Sequence, residues 1–148
     1  MEGQPCPAGM RADLSVADSM HTFPKTARAW TTVGQAREFF RNDKVHALLV
    51  VRDGVLVAVV ERGDLAGRGD QEPAASAGRL GDRVVAPFDS LCETWQSMVA
   101  VGRRRVAVAT ADGRLVGLLC LKASGSGFCS DAGIAARAHE RLAGVPVR

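Results

Sequence analysis

Two apolar runs interrupted by an Asp-Gly pair, HALLVVRDGVLVAVVERGDL at residues 46–65, return as RVAVATADGRLVGLLCLK at residues 105–122. Each reads as an antiparallel hairpin. β-Branched residues flank a pair in which Gly54 takes positive φ without a Cβ penalty and Asp53 tolerates the left-handed region. Superposing Asp53 and Gly54 on Asp112 and Gly113 is a shift of 59 positions and brings Leu56 and Val57 onto Leu115 and Val116. A chain built this way uses one unit twice.

The flanking segments repeat as well. Thr32–Asp43 is expected to be a helix with Thr32 as N-cap, Gln35 as its capping-box partner, and Val33, Ala36, Phe39 and Phe40 on its buried face. A second helix starts at Ser90, with Glu93 completing the box and Leu91, Thr94, Trp95 and Met98 facing inward. Thr32 on Ser90 is a shift of 58, so the second unit gains one residue before its hairpin. Leu14, Val16, Ala17 and Met20 fit a short helical face capped by Asp13, echoed by Leu80–Val84. Phe23 and Trp30 are expected to cover core. Residues 1–12 read as disordered, 13–66 as the first repeat, 67–78 as a linker, 79–124 as the second repeat, and 125–148 as a C-terminal segment with a helix over Ser130–Ala143.

At 148 residues the chain can bury a core without metals or staples. No apolar span of membrane length is present, and Met1–Met10 lacks the basic start and apolar run of a signal peptide, so a cytoplasmic location is expected. Cys6, Cys92, Cys120 and Cys129 form no CxxC pair, and reduced thiols are the default. The net charge of +3 is small and sits in the second half, where Arg103, Arg104 and Arg105 adjoin a predicted strand. Without interleaved aromatics they do not make a nucleic-acid surface. Either a solvated corner or an anion contact fits them, and three adjacent arginines point different ways in an extended chain.

The repeat, with φxDxφ, a capped helix, an LLVVxDG strand and turn, and φVGφφ continuing toward a TxxD-like end, resembles a pair of cystathionine beta-synthase (CBS) domains from about Leu14 to Ala123. The closing segment, GFCSDAGIAARAHERLAG, resembles the tail of small stand-alone actinobacterial CBS-pair proteins. The resemblance implies an α/β fold with a pseudo-twofold axis and a C-terminal helix. It also implies a homodimer and a non-catalytic regulatory role, with AMP, ATP or adenosine as ligand in a cleft between repeats and a regulated protein as partner. The alternative is a ligand-free dimerisation or protein-interaction module, with Trp30, Trp95 and Phe88 as apolar surface. In the family motif a hydroxyl meets phosphate or ribose, and an Asp accepts from the ribose hydroxyls.

Carried over residue by residue, repeat 1 has Ala58 for the Gly, Glu61 for the hydroxyl and Asp64 for the ribose Asp, with Val45 and His46 facing phosphate. Glu61 would repel a phosphate unless Arg62 or another cation intervened. Repeat 2 keeps Gly117 but has Cys120 and Ala123 in the other two places, with Arg104 and Arg105 facing phosphate. The candidate ligand-binding set is therefore Asp64, Glu61, Arg62, His46, Ala47, Arg104, Arg105, Gly117 and Cys120. A Cys120 or Cys129 nucleophile with His46 or His139 as base is outweighed by buried packing. Glu61 with Asp64 as an acid-base or metal pair is outweighed by a turn cap. No catalytic or metal site is expected.

Overall fold

The computed structural model describes residues 5–7 and 10–129. The helix expected over Ser130–Ala143, and His139 within it, lie outside the described residues. Two three-stranded sheets form. The first joins β1 (Ala27–Arg28), β2 (Leu48–Arg52) and β3 (Val55–Val60), and the second joins β4 (Val84–Val85), β5 (Arg105–Ala109) and β6 (Leu115–Cys120). In each sheet the short leading strand runs parallel to the middle strand, which pairs antiparallel with the third. Helix α1 (Val33–Phe40) accompanies the first sheet, the single turn α2 (Ala74–Ala77) follows it, and α3 (Leu91–Val101) accompanies the second.

Strand alternation, with a bulge at Val57 that turns Leu56 to the face opposite Ala58, decides the layers. Leu48, Val50, Ala58 and Val60 face α1 and pack with Val33, Ala36 and Phe40, whereas Leu49, Leu56 and Val59 point the other way and meet Ala107 of the second sheet. Val106, Val108 and Leu119 turn toward Leu91, Trp95 and Met98 of α3. The two sheets are thus back to back with a helix outside each.

The local chemistry accounts for the elements. Asp53 at φ 53° and Gly54 at φ 81° make the tight first turn as expected. The extra residue of the second repeat falls within its turn rather than before the hairpin: Val51 pairs with Leu56, but Ala109 pairs with Leu115. Thr32 Oγ1 accepts from Gln35 N–H and Gln35 Oε1 accepts from Thr32 N–H, a complete capping box. At Ser90 the hydroxyl accepts from Glu93 N–H at 3.2 Å, one half of a box. Helix α1 stops at Phe40, short of Asp43, and Phe39 lies half exposed rather than on the buried face. All four residues assigned to the buried face of α3 are buried.

The repeats are intertwined. Leu91 N–H donates to Leu14 O and Val16 N–H to Asp89 O, while Val33 N–H donates to Glu72 O and Ala74 N–H to Thr31 O. Each unit's leading segment therefore sits at the helix start of the other unit. The equivalent of Val16 is Ala74, in place of the echo expected at Leu80–Val84. The leading segment itself is a single 3-10 turn, Val16–Asp18, and its cap is Ser15, not Asp13.

The crossing needs one glycine on each side. His21 bridges Leu118 and Arg79 bridges Val59. In the first crossing the glycine lies on the strand, where a Cβ on Gly117 would meet Met20 Sδ at 2.6 Å. In the second it lies on the incoming segment, where a Cβ on Gly78 would meet Val59 O at 2.6 Å. The Met20 thioether can swing aside, leaving a milder contact with His21 O at 3.0 Å, whereas the Val59 carbonyl cannot. Gly78→Ala should therefore lower stability by about 1–3 kcal/mol, and Gly117→Ala by less. Urea denaturation of the two variants checks this, and equal midpoints would contradict it.

Two expectations fail at the surface. Phe23 and Trp30 do not cover core; they are 85% and 71% exposed. The thiols are not all reduced. Cys6 is disulfide-bonded to Cys92 at the start of α3 with Cα atoms 5.8 Å apart, inside the span a bridge requires. Cys6 and Met10 pack against the core around α3, so part of the stretch read as disordered is held in place.

Candidate functional site

The hairpin tips meet at one end of the sheets, where Leu56 N–H donates to Gly113 O and Leu115 N–H to Gly54 O. At the other end β2 and β5 begin and β3 and β6 finish. A cleft of 260 Å³ opens there, lined by His46, Glu61, Arg62 and Gly63 from the first repeat and by Val101, Gly102, Arg103 and Arg104 from the second. His46 precedes β2 and Arg104 adjoins β5. Glu61 and Arg62 open the 3-10 turn Arg62–Leu65 after β3. Gly102, at φ 72°, ends α3 in the left-handed region and turns Arg103 into the cleft.

Glu61 does not meet a ligand as a bare anion. Its carboxylate accepts from Arg103 Nε at 2.7 Å and lies 3.3 Å from Arg83 Nη2. Arg83, 3% exposed, also forks onto Asp64, with Nη1 to Oδ2 at 2.5 Å and Nη2 to Oδ1 at 3.0 Å, and donates to Val59 O at 2.8 Å. Asp64 Oδ2 further accepts from Glu61 N–H at 2.8 Å. On the other side Arg103 reaches Asp82 Oδ2 at 3.3 Å, and Arg79 Nε donates to Asp82 Oδ1 at 3.0 Å. Cations and anions alternate along Arg79, Asp82, Arg103, Glu61, Arg83 and Asp64. Burial pushes the Asp64 carboxyl up, but the bonds from Arg83 and Glu61 N–H outweigh it and the net shift is down. The Arg79 bond holds the exposed Asp82 carboxyl at about 2.

A second set of cations has no such partners. Arg62 donates to Val45 O at 2.9 Å and to Phe40 O, at the C-terminal end of α1 where a cation is favoured, and its guanidinium lies 5.1 Å from the Phe40 ring centroid. Arg104 Nε donates to Leu121 O and Arg105 Nη1 to Arg104 O, both at 3.0 Å. Among the described residues none of these three arginines makes an ion pair. Their charge registers on His46, whose pKa is lowered first by partial burial and then by Arg105, Arg104 and Arg62.

Of the residues expected at the site, His46, Glu61, Arg62 and Arg104 come together. Asp64 adjoins them beneath Glu61, and Arg105 lies close enough for its charge to act on His46. Ala47 packs into the core between the sheets, Gly117 serves the crossing at Met20 and His21, and Cys120 is buried in β6 opposite Arg105. The cations that neutralise Glu61 are Arg103 and Arg83; Arg62 turns to backbone carbonyls instead. Arg83 was not among the expected residues, and nothing local marks it, because Asp64 is 19 positions away in sequence. The three adjacent arginines do point different ways. Among the described residues no group of three His, Cys, Asp or Glu side chains is placed to hold a metal ion, and no helix is long and apolar enough to cross a membrane.

Residues 13–69 match the model of the CBS domain family. No curated protein matches the chain in sequence. Solved structures share the fold. The CBS domains of a transcriptional regulator from Streptococcus pneumoniae align with TM-score 0.61 and 18% identity over 72% of this chain and 92% of that one. CBSX2 of Arabidopsis thaliana, in complex with AMP, aligns with TM-score 0.61 and 22% identity over 87% and 98%. The CBS domain pair of protein MJ0100, in complex with 5′-methylthioadenosine and S-adenosyl-L-methionine, aligns with TM-score 0.57 and 15% identity over 86% and 98%. Residues 13–69 match the CBS domain family, and with the second repeat folded in the same way the chain has the fold of a CBS-domain pair.

Proposed function

We propose that this CBS pair is a regulatory module that takes a phosphorylated adenine nucleotide in the cleft at the strand ends. The observation that carries the reading is electrostatic. Arg62 and Arg104 line the cleft and Arg105 lies near it, all without an acidic partner among the described residues, while the one carboxylate in the lining, Glu61, is already neutralised. Such a site attracts an anion, and the arginine N–H groups not turned to carbonyls give phosphate oxygens donors to meet. The AMP held by CBSX2 supports the nucleotide class. A ligand that binds only the folded state raises its melting temperature. AMP and ATP are therefore expected to raise it and adenosine to do so less; a panel in which none shifts the transition would remove the reading.

The exposed aromatics favour a second role alongside the first. Phe23, Trp30 and Phe88 are 71–85% exposed, and Trp30 and Phe88 hold equivalent places just before the two helix caps. Trp95, by contrast, is buried, with its Nε1–H donating to Gly125 O at 2.7 Å. Apolar side chains this exposed mark an association surface, and we infer a homodimer. Sedimentation at micromolar concentration should show twice 15.6 kDa; a monomer at every concentration would contradict it.

A further inference from the structure

Asp64, the carboxylate that the family resemblance assigns to a sugar, lies beneath Glu61 of the cleft lining and is already occupied by a group of the chain itself. An ionised carboxylate only accepts, and a vicinal diol would offer it two neighbouring O–H donors. Arg83 offers Asp64 the same thing in a stronger form: two N–H groups of one planar fork, one to each carboxylate oxygen, at 2.5 and 3.0 Å. The fork is held by further contacts, because Nη1 also donates to Val59 O and Nη2 lies 3.3 Å from Glu61 Oε1. It is also costly. Arg83 Nε is buried without a partner among the described residues, a penalty that apolar packing at this position would not carry. Arg83 comes from the 3-10 turn Gly81–Arg83 that leads into β4, so the second repeat supplies the group that closes the first repeat's carboxylate.

We propose that Arg83 is a specificity-determining residue that takes the place of a sugar diol on Asp64, so that the cleft selects its ligand by phosphate and discriminates against unphosphorylated nucleosides. The proposal rests on the nucleotide reading above and adds to it the group that sets the preference. Arg104 lines the open cleft with Arg105 near it, while Arg83 covers the carboxylate beneath Glu61. An adenine nucleotide then binds mainly through its phosphates unless Arg83 is displaced.

The test is calorimetric titration of adenosine, AMP and inorganic pyrophosphate into the parent, Arg83→Met and Arg83→Lys. Methionine removes the fork and frees Asp64. Lysine keeps the charge, cannot bridge both oxygens, and serves if the methionine variant does not fold. Adenosine and AMP are expected to gain at least tenfold in affinity in the folded variants, with pyrophosphate changed less than threefold. A folded variant in which adenosine gains nothing, or in which all three ligands move together, overturns the proposal. Failure of the parent to bind either AMP or pyrophosphate would instead overturn the nucleotide reading. In that case adenosine binding by the variants still decides the role of Arg83, a gain upholding it and no gain overturning it.

Discussion

Asp64→Ala is expected to destabilise the fold by about 3–5 kcal/mol, the range for removing one partner of a buried ion pair. The side chains of Arg83 and Asp64 are only 4% and 15% exposed, so the guanidinium cannot recover its lost partner from water. Glu61 remains, but a single contact at 3.3 Å does not replace a fork at 2.5 and 3.0 Å. Urea unfolding of Asp64→Ala and Asp64→Asn measures the loss, and asparagine should recover part of it because its carbonyl oxygen still accepts. The dependence on acid follows from the same pair. The carboxyl pKa is lowered in the folded state, so its stabilising contribution is complete above the ordinary value near 3.8 and is lost as the pH falls through the lower folded value. A midpoint for Asp64→Ala within about 0.5 kcal/mol of the parent would show that Arg83 is not held by this carboxylate.

Reduction of the Cys6–Cys92 bridge is the other large effect. The bond spans a sequence separation of 86, and closing a loop of that length restricts the unfolded chain by about 4–5 kcal/mol in the chain-entropy description. Cys92→Ser, or the parent in excess dithiothreitol, should lose stability of that order. Cys6 and Met10 should be the first core contacts to open, since the bridge fixes the segment they belong to onto α3. Thiol titration of the unfolded protein should find two reactive groups, Cys120 and Cys129, before reduction and four after it. Four before reduction would contradict the bridge. Structural disulfides belong to oxidising compartments, and in a reducing one the same pair would be poised to open.

The parts of the fold governed by neighbouring residues were legible in the sequence. The Asp53-Gly54 turn, the Thr32 and Ser90 caps and the buried face of α3 depend on contacts within a few positions, and side-chain type settles them. Phe39 was misplaced for a related reason. Helical period puts it beside Phe40, but α1 ends there and only Phe40 turns inward. Phe23 and Trp30 are expected in the core because large aromatics usually find one, and both lie exposed.

The site was legible by halves. Each repeat shows part of a recognition pattern, and the structure brings His46, Glu61 and Arg62 of one together with Arg104 of the other. The charge network was not legible, because its links join residues far apart in sequence. Arg103 and Glu61 are 42 positions apart, and one of three adjacent arginines gives no local sign that it will pair while its neighbours do not. The disulfide was hidden in the same way, with one cysteine in a stretch whose composition reads as disordered.

The central claim is that the unpaired arginines at the strand ends hold a phosphate, and isothermal titration of AMP into the parent, Arg104→Ala and Arg105→Ala tests it most directly. Each substitution should cost roughly tenfold in affinity, as expected for a lost charge-assisted bond, and parent binding should weaken as salt rises. Binding should also tighten as the pH falls from 8 to 7, where the phosphate is still mostly doubly ionised. The free cleft holds the His46 pKa below 6.5, a bound anion raises it, and the proton taken up favours the complex. AMP affinity unchanged in both arginine variants, or insensitive to salt and pH, would contradict the account.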